Sequence, residues 1–147
     1  MNSQISKMTT NELILSIELD IKTVSEANKT GEHWTKKHKR HNEQQWQIKI
    51  AFLKLKEEIT IPCKIVLSRL SPRLLDDDNL TSAFKHIRDQ IADCIFDSQT
   101  DGEIVTKRRG QNDGDKRLSW EYAQHKRKKQ GIRIEIYKSD KPKMLFL

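Results

Sequence analysis

The chain is poor in cysteine, proline and glycine: its 147 residues include two Cys, three Pro and five Gly. Cys63 and Cys94 form no C-x-x-C pair, so both are expected to be buried, reduced thiols. No apolar run approaches the roughly 20 residues of a membrane-crossing helix, and no membrane partner is expected. The opening "MNSQISKMTT" lacks the apolar stretch of a signal peptide, which makes a cytoplasmic protein the expectation. There is no G-x-S-x-G element and no phosphate-binding glycine loop. Internal repeats and low-complexity segments are also missing.

What the chain does have is charge. Charged residues make up 33% of it, hydrophobic residues 35%, and the net charge is +7. This composition predicts one charge-rich domain, spanning 1–147, with a modest core. The positive charge is clustered at Lys36–Arg40, Lys107–Arg109 and His125–Lys129. Such clusters are the electrostatic footprint of a nucleic-acid binder, although a single one can equally be a solvated surface. Trp34 and Trp46, flanking the first cluster, tilt the balance toward DNA or RNA. Lys36, Lys37, Lys39, Arg40, Arg73, Lys126, Arg127 and Lys128 are the expected phosphate contacts.

Hydrophobic periodicity divides the chain into elements. "ELILSIELDIK" places Leu13, Leu15, Ile17, Leu19 and Ile21 on one face of a half-buried strand. Residues 23–33 are polar and read as a mobile loop. Residues 34–58 contain neither Gly nor Pro and favour a helix with two apolar stripes. Ile48, Phe52 and Leu55 form one stripe, and Trp46, Ile50 and Leu53 form the other. One stripe would cover a sheet, and the second needs another partner, such as a second subunit. "IPCKIVLSRL" (61–70) is a second strand, and residues 79–96 form the best helix. Residues 97–115 read as a long loop. Strands at 117–123 and 131–137 follow, joined by a basic hairpin loop, and the tail 138–147 ends apolar. The order predicts an α+β fold: a single mixed sheet with helices packed on it.

The acidic residues are concentrated at "LLDDDNLTSAFKHIRD" (74–89). If Asp78 caps the helix, Leu80, Ala83, Phe84, Ile87, Ile91 and Ile95 face the core, while Asp78, Ser82, Lys85 and Asp89 line the opposite side. Asp76 and Asp78, two apart in an extended lead-in, can point the same way. A single Asp here would be no more than a helix cap. Three in a row, aligned with a lysine, suit a hard-cation site for phosphodiester hydrolysis. Oxygen ligands fit Mg²⁺, with Mn²⁺ as a substitute. Of the later carboxylates, Asp101 lies in the long loop. Asp113 and Asp115 directly precede a strand anchored by Leu118, Trp120 and Tyr122, so this pair is better placed than Asp101 to complete the metal site.

The segment "SRLSPRLLDDDNLTSAFKHIRDQIAD", followed by "NDGDKRLSWEYAQ" and the strand "GIRIEIY", resembles the RusA family of Holliday junction resolvases, closest to its phage and prophage branch. The resemblance runs from about Pro62 to Tyr137 and is weaker in "HWTKKHKRH". The family pattern is Asp-x-Asp-Asn-Leu opening a helix, then a lysine and an aspartate on that helix, then an acidic pair before a strand. Here it falls on Asp76, Asp78, Asn79 and Leu80, on Lys85 and Asp89, and on Asn112-Asp113. The resemblance implies a RusA-like two-layer sandwich and a Mg²⁺-dependent, homodimeric endodeoxyribonuclease. Such an enzyme cuts branched DNA by paired incisions in recombination and repair. It also implies catalytic roles for Asp76, Asp78, Lys85 and Asp113, with Asp89 as a further ligand. This chain departs from the family pattern in three ways. Its lysine stands three residues further along, Asn112 replaces the first acid of the pair, and the loop before that pair is long.

Other readings are a non-catalytic basic DNA-binding module with a structural acidic row, and a metal-dependent nuclease acting on RNA. "DSQTDGEIVTKR" (97–108) echoes a calcium loop but lacks an acid at its third position and the closing Glu. His33, His38 and His41 have no recognised zinc spacing.

Overall fold

The computed structural model describes residues 12–25, 31, 33–99 and 112–139. Four strands, β1 (Glu12–Leu19), β2 (Cys63–Ser71), β3 (Leu118–Lys126) and β4 (Gly131–Lys138), form one mixed sheet in the order β1-β4-β2-β3. β4 runs antiparallel to β1 and β2, and β3 runs parallel to β2. The expected β3–β4 hairpin does not exist, because β2 lies between the two strands. The reason is visible in burial: from Leu67 to Ser71 every residue of β2 is buried, and such a strand belongs at the centre of a sheet. β3 alternates more strongly between buried and exposed residues and takes the edge.

The register builds one apolar face. Leu15, Ile17 and Leu19 lie opposite Ile136, Ile134 and Ile132, which in turn face Ile65, Leu67 and Arg69. Trp120 and Tyr122 continue the rows of Ile65 and Leu67. A register shift between Leu13 and Leu15 breaks the strict alternation expected for β1 and leaves Leu13 49% exposed. The opposite sheet face carries charge, including the Glu18–Arg133 and Lys64–Glu121 pairs.

Helices cover the apolar face. α1 (Trp34–Leu53) is the helix expected at 34–58, but it ends earlier, where the Lys54 N–H bonds back to the Ile50 and Ala51 carbonyls. Of its two stripes, the one with Ile48, Phe52 and Leu55 packs into the core. The other leaves Trp46 and Leu53 60% and 76% exposed. The expected helix at 79–96 is two helices, α2 (Asp77–Ala83) and α3 (Lys85–Asp97). It starts two residues early because Asp76, not Asp78, is the cap: its backbone is extended and its carboxylate accepts the Asn79 N–H at 2.9 Å. It breaks at Phe84, whose N–H bonds back only three residues, to Thr81, while its ring is fully buried. α3 buries Ile87, Ile91 and Ile95 as expected, together with Ala92, Cys94 and Phe96.

Cys63 and Cys94 are free, buried thiols, as expected, and burial pushes the Cys63 pKa up to about 12. The long loop contributes a 3-10 turn, Asn112–Gly114, just before β3. Lys107–Arg109, Asp101 and the tail from residue 140 lie outside the described residues, as does much of the loop at 23–33.

Phe84→Ala should cost about 3–5 kcal/mol, the usual effect of emptying a buried aromatic site. Leu53→Ala, at a residue 76% exposed, should change stability by less than about 0.5 kcal/mol. Urea unfolding of both variants checks the pair. A Phe84→Ala loss below about 1 kcal/mol would contradict the placement of the ring.

Candidate acidic site and its basic flank

The sheet gathers several expected site residues at one end. The pairings Leu19↔Ile132, Leu70↔Gly131 and Ser71↔Lys126 put the C-terminal ends of β1, β2 and β3 beside the start of β4. Gly131 is required there, because a Cβ would stand 2.9 Å from the Leu19 carbonyl oxygen. The lead-in to the aspartates leaves β2 at this end and is tightly held. The Gln124 side chain accepts from the Leu75 N–H at 2.9 Å and donates to the Leu75 carbonyl at 2.6 Å. Buried Arg69 donates to the Thr23 hydroxyl at 3.0 Å and to the Arg73 carbonyl. The Ser25 hydroxyl donates to the Asn79 side-chain carbonyl. Gln124, Arg69, Thr23 and Ser25 therefore position the acidic segment. Sequence spacing reveals none of them, since each acts across a separation of 46 residues or more, apart from the local Arg69–Arg73 bond.

Asp77 and Asp78 occupy the first turn of α2, where the helix dipole favours negative charge. All three aspartates, 76, 77 and 78, are exposed. Lys85 opens α3, and Asp89 follows one turn on. Here the structure brings Asp113 into contact with Asp89. The Asp89 carboxyl is pushed up to about 6, first by burial, then by the charge and hydrogen bond of Asp113, against the opposing pull of Lys85. Arg88 fixes the other partner: its Nε donates to Asp113 Oδ2 at 2.9 Å, and its other nitrogens donate to the Asp113 carbonyl and to the Tyr122 hydroxyl. The guanidinium also lies 4.8 Å over the Trp120 ring, whose N–H donates to the Asp113 carbonyl at 2.9 Å. Only the register of Trp120 and Tyr122 reveals this role of Arg88.

The other members of the expected acidic group have different duties. The buried Asn112 amide donates to Asp93 at 2.9 Å and pins the turn to α3. Asp115 is engaged by Arg117, with the Arg117 Nη2 2.8 Å from its carboxylate. Asp78 stands on α2 and Asp89 on α3, on either side of the break at Phe84. Among the described residues, no three His, Cys, Asp or Glu side chains form a group that could hold a metal. Asp76 and Asp78 are thus not joined with Asp113 into one cage. The Asp89–Asp113 pair fits a hard cation by its own chemistry: two carboxylates face each other in partial burial, a geometry that a bound Mg²⁺ would relieve, and Mg²⁺ commonly takes only one or two protein carboxylates.

The first basic cluster approaches this site. The His41 and His86 rings stack 3.5 Å apart, which packs α1 against the start of α3 beside Lys85. Buried Gln44 donates to the Lys22 carbonyl just past β1, and the ten residues of α1 before it span about 15 Å of helix. Lys36 and Lys39 are exposed, and Lys37 and Arg40 are half-buried. In the third cluster Lys126 and Lys128 are exposed, as is Arg73 outside it, whereas Arg127 is paired with Glu18 at 2.8 Å. Arg127 and Arg133 together hold the Glu18 carboxyl below its usual range.

The Asp89 shift has a definite sign. Its pKa is raised from 3.8 to about 6, so the folded protein binds this proton more tightly than the unfolded chain does. Stability contributed by the protonated form is present below about pH 4 and is lost as pH rises through about 6. Asp89→Asn should therefore be more thermally stable than the natural chain at about pH 7–8, with the gap closing toward about pH 4. A gap that stays constant across this range would show that the two carboxylates are not in contact.

No protein-family model matches the chain, and no curated protein matches it. The chemistry of the site rests on its own residues and on the motif resemblance.

Proposed function

We propose that the chain is a metal-dependent endonuclease of the RusA type, cutting Holliday junctions or other branched DNA by paired phosphodiester hydrolysis as a homodimer. The observation that carries this reading is the Asp89–Asp113 carboxylate pair with Lys85 one turn away on α3; exposed Lys36, Lys39, Arg73 and Lys126 add positive surface elsewhere on the chain. In this reading Asp113 and Asp89 hold the cation. Asp76 and Asp78, at the start of α2, extend the acidic surface, and Asp115 assists through the turn it shares with Arg117. Lys85 holds a phosphate oxygen, and the exposed lysines fix the backbones of the arms. Bound Mg²⁺, with Mn²⁺ as a substitute, supplies Lewis-acid polarisation of the phosphate and an activated water. Paired incisions need two sites, which a two-fold dimer provides.

A second reading is a DNA-binding module without catalysis. The observation that favours it is the absence, among the described residues, of a group of three metal-ligating side chains.

Labelled four-way junction, duplex, single-stranded DNA and RNA substrates, each with Mg²⁺ and with chelator, separate these readings. Branched DNA should be cut only with Mg²⁺ and bound in both conditions. Binding without cutting in either condition would establish the second reading, and preferential RNA cleavage would move the substrate class. Asp89→Asn and Asp113→Asn should bind junctions and fail to cut them, while Asp77→Asn retains much more activity. Wild-type cutting by Asp113→Asn would refute the site.

Neutralising Lys36, Lys37 and Lys39 should flatten the salt dependence of binding, by roughly 0.9 in log–log slope for each phosphate that the cluster no longer neutralises. An unchanged slope would remove that cluster from the interface.

A further inference from the structure

We propose that the outer ridge of α1 is a track for unpaired DNA, with Trp34 and Trp46 as two base-stacking platforms about 18 Å apart along the helix. The inference deepens the reading just given and rests on it for the substrate class.

Trp34 and Trp46 are 69% and 60% exposed, on a helix whose other apolar stripe is buried. The Trp34 indole stands at the helix start between two rings. His33 stacks on it at 6.2 Å with planes 23° apart, and His38 flanks it at 6.4 Å. His33 is itself fixed as the helix cap, accepting from the Thr35 N–H. A shallow trough joins the two tryptophans, with Thr35, His38, Lys39 and Asn42 in its lining. Lys39 and Glu43 are the charged residues of its lining, Lys49 stands beside Trp46, and Lys36 is exposed on the same turn of α1 as Trp34.

Flat rings interleaved with cations suit one occupant above others. Unpaired bases stack on indoles while lysines track the phosphates. A duplex keeps its base faces stacked internally and would leave both rings unused. A second copy on a two-fold axis would set the excess lysines against each other. The ridge also leads toward the acidic pair, because the His41–His86 stack joins α1 to α3 beside Lys85. A strand opened at a branch and laid along α1 would therefore run toward Asp89 and Asp113.

Anisotropy of a labelled oligothymidylate of about twelve nucleotides, titrated with the full chain in chelator, tests the track. The natural chain should bind it and lose indole fluorescence on binding. Trp34→Ala and Trp46→Ala should each weaken binding by about ten-fold, which corresponds to about 1.4 kcal/mol. Binding to a duplex of the same length should change by less than about two-fold. Trp34→Phe and Trp46→Phe, which keep an aromatic face, should retain most of the affinity, and the Leu variants, which keep only apolar bulk, should not. Circular dichroism confirms that each variant is folded, and the Phe–Leu comparison decides the matter should an Ala variant unfold. Unchanged oligothymidylate affinity, or an equal loss on duplex, would overturn the proposal. So would a sedimentation shift from dimer to monomer in Trp46→Ala with strand binding intact, which would assign the ridge to a second copy. Cutting is not read in chelator, so loss of the nuclease reading leaves this result standing. Variants that cut junctions normally and bind strands unchanged would sink the track alone.

Discussion

The acidic end of the molecule hangs on one guanidinium. Arg88 stacks on Trp120, donates to Tyr122 and to the backbone and side chain of Asp113, and so clamps the turn at 112–114 onto α3. That clamp, together with the Trp120 N–H on the Asp113 carbonyl, holds Asp113 against Asp89 although the two carboxylates repel each other. The cation supports the pair from behind. Asn112 adds a second pin, donating to Asp93 one turn further along α3.

The mixed sheet decides what gathers at the lead-in to α2. Because β2 is parallel to β3 and antiparallel to β4, the strand ends that carry Arg73, Lys126 and the lead-in to Asp76 emerge together. Gln124 then treats Leu75 almost as another strand residue, bonding both its N–H and its carbonyl. This stops the chain in an extended state, and the first residue released from it, Asp76, caps α2. Charge of both signs is thereby concentrated at one edge, with the acidic groups on the helices and the basic groups on the strand ends and on α1.

Several features of the molecule work against stability. Two facing carboxylates raise the energy of the ionised fold, three aspartates stand in succession, and two indoles face solvent. Each would be relieved by a ligand: a cation for the carboxylates, nucleic acid for the lysines and indoles. The opposite arrangement prevails on the outer sheet face, where Glu18 is paired with both Arg127 and Arg133 and the charges are mutually satisfied.

Much of the fold is legible locally. Alternation in "ELILSIELDIK" and "GIRIEIY" locates β1 and β4, and the spacing of Ile87, Ile91 and Ile95 locates the buried side of α3, because those periods reflect which side of an element meets the core. Spacing predicts a row of Asp78, Lys85 and Asp89 on one helix, which the break at Phe84 divides between α2 and α3, whereas the spacing of Lys85 and Asp89 within α3 follows from the same rule. The cap position does not, since any of three adjacent aspartates can serve and the choice falls to Gln124 through its hold on Leu75. The β3–β4 hairpin expectation fails because two consecutive strands and a polar connection look alike whether or not a third strand lies between them. The pairing of Asp113 with Asp89, the role of Arg88 and the engagement of Asp115 by Arg117 belong to the tertiary structure alone. The sequence determined which residues carry charge and which side of each element is apolar. Which carboxylates meet was decided by strand order, because only the packing of β3 beneath α3 brings Trp120 and Tyr122 under Arg88.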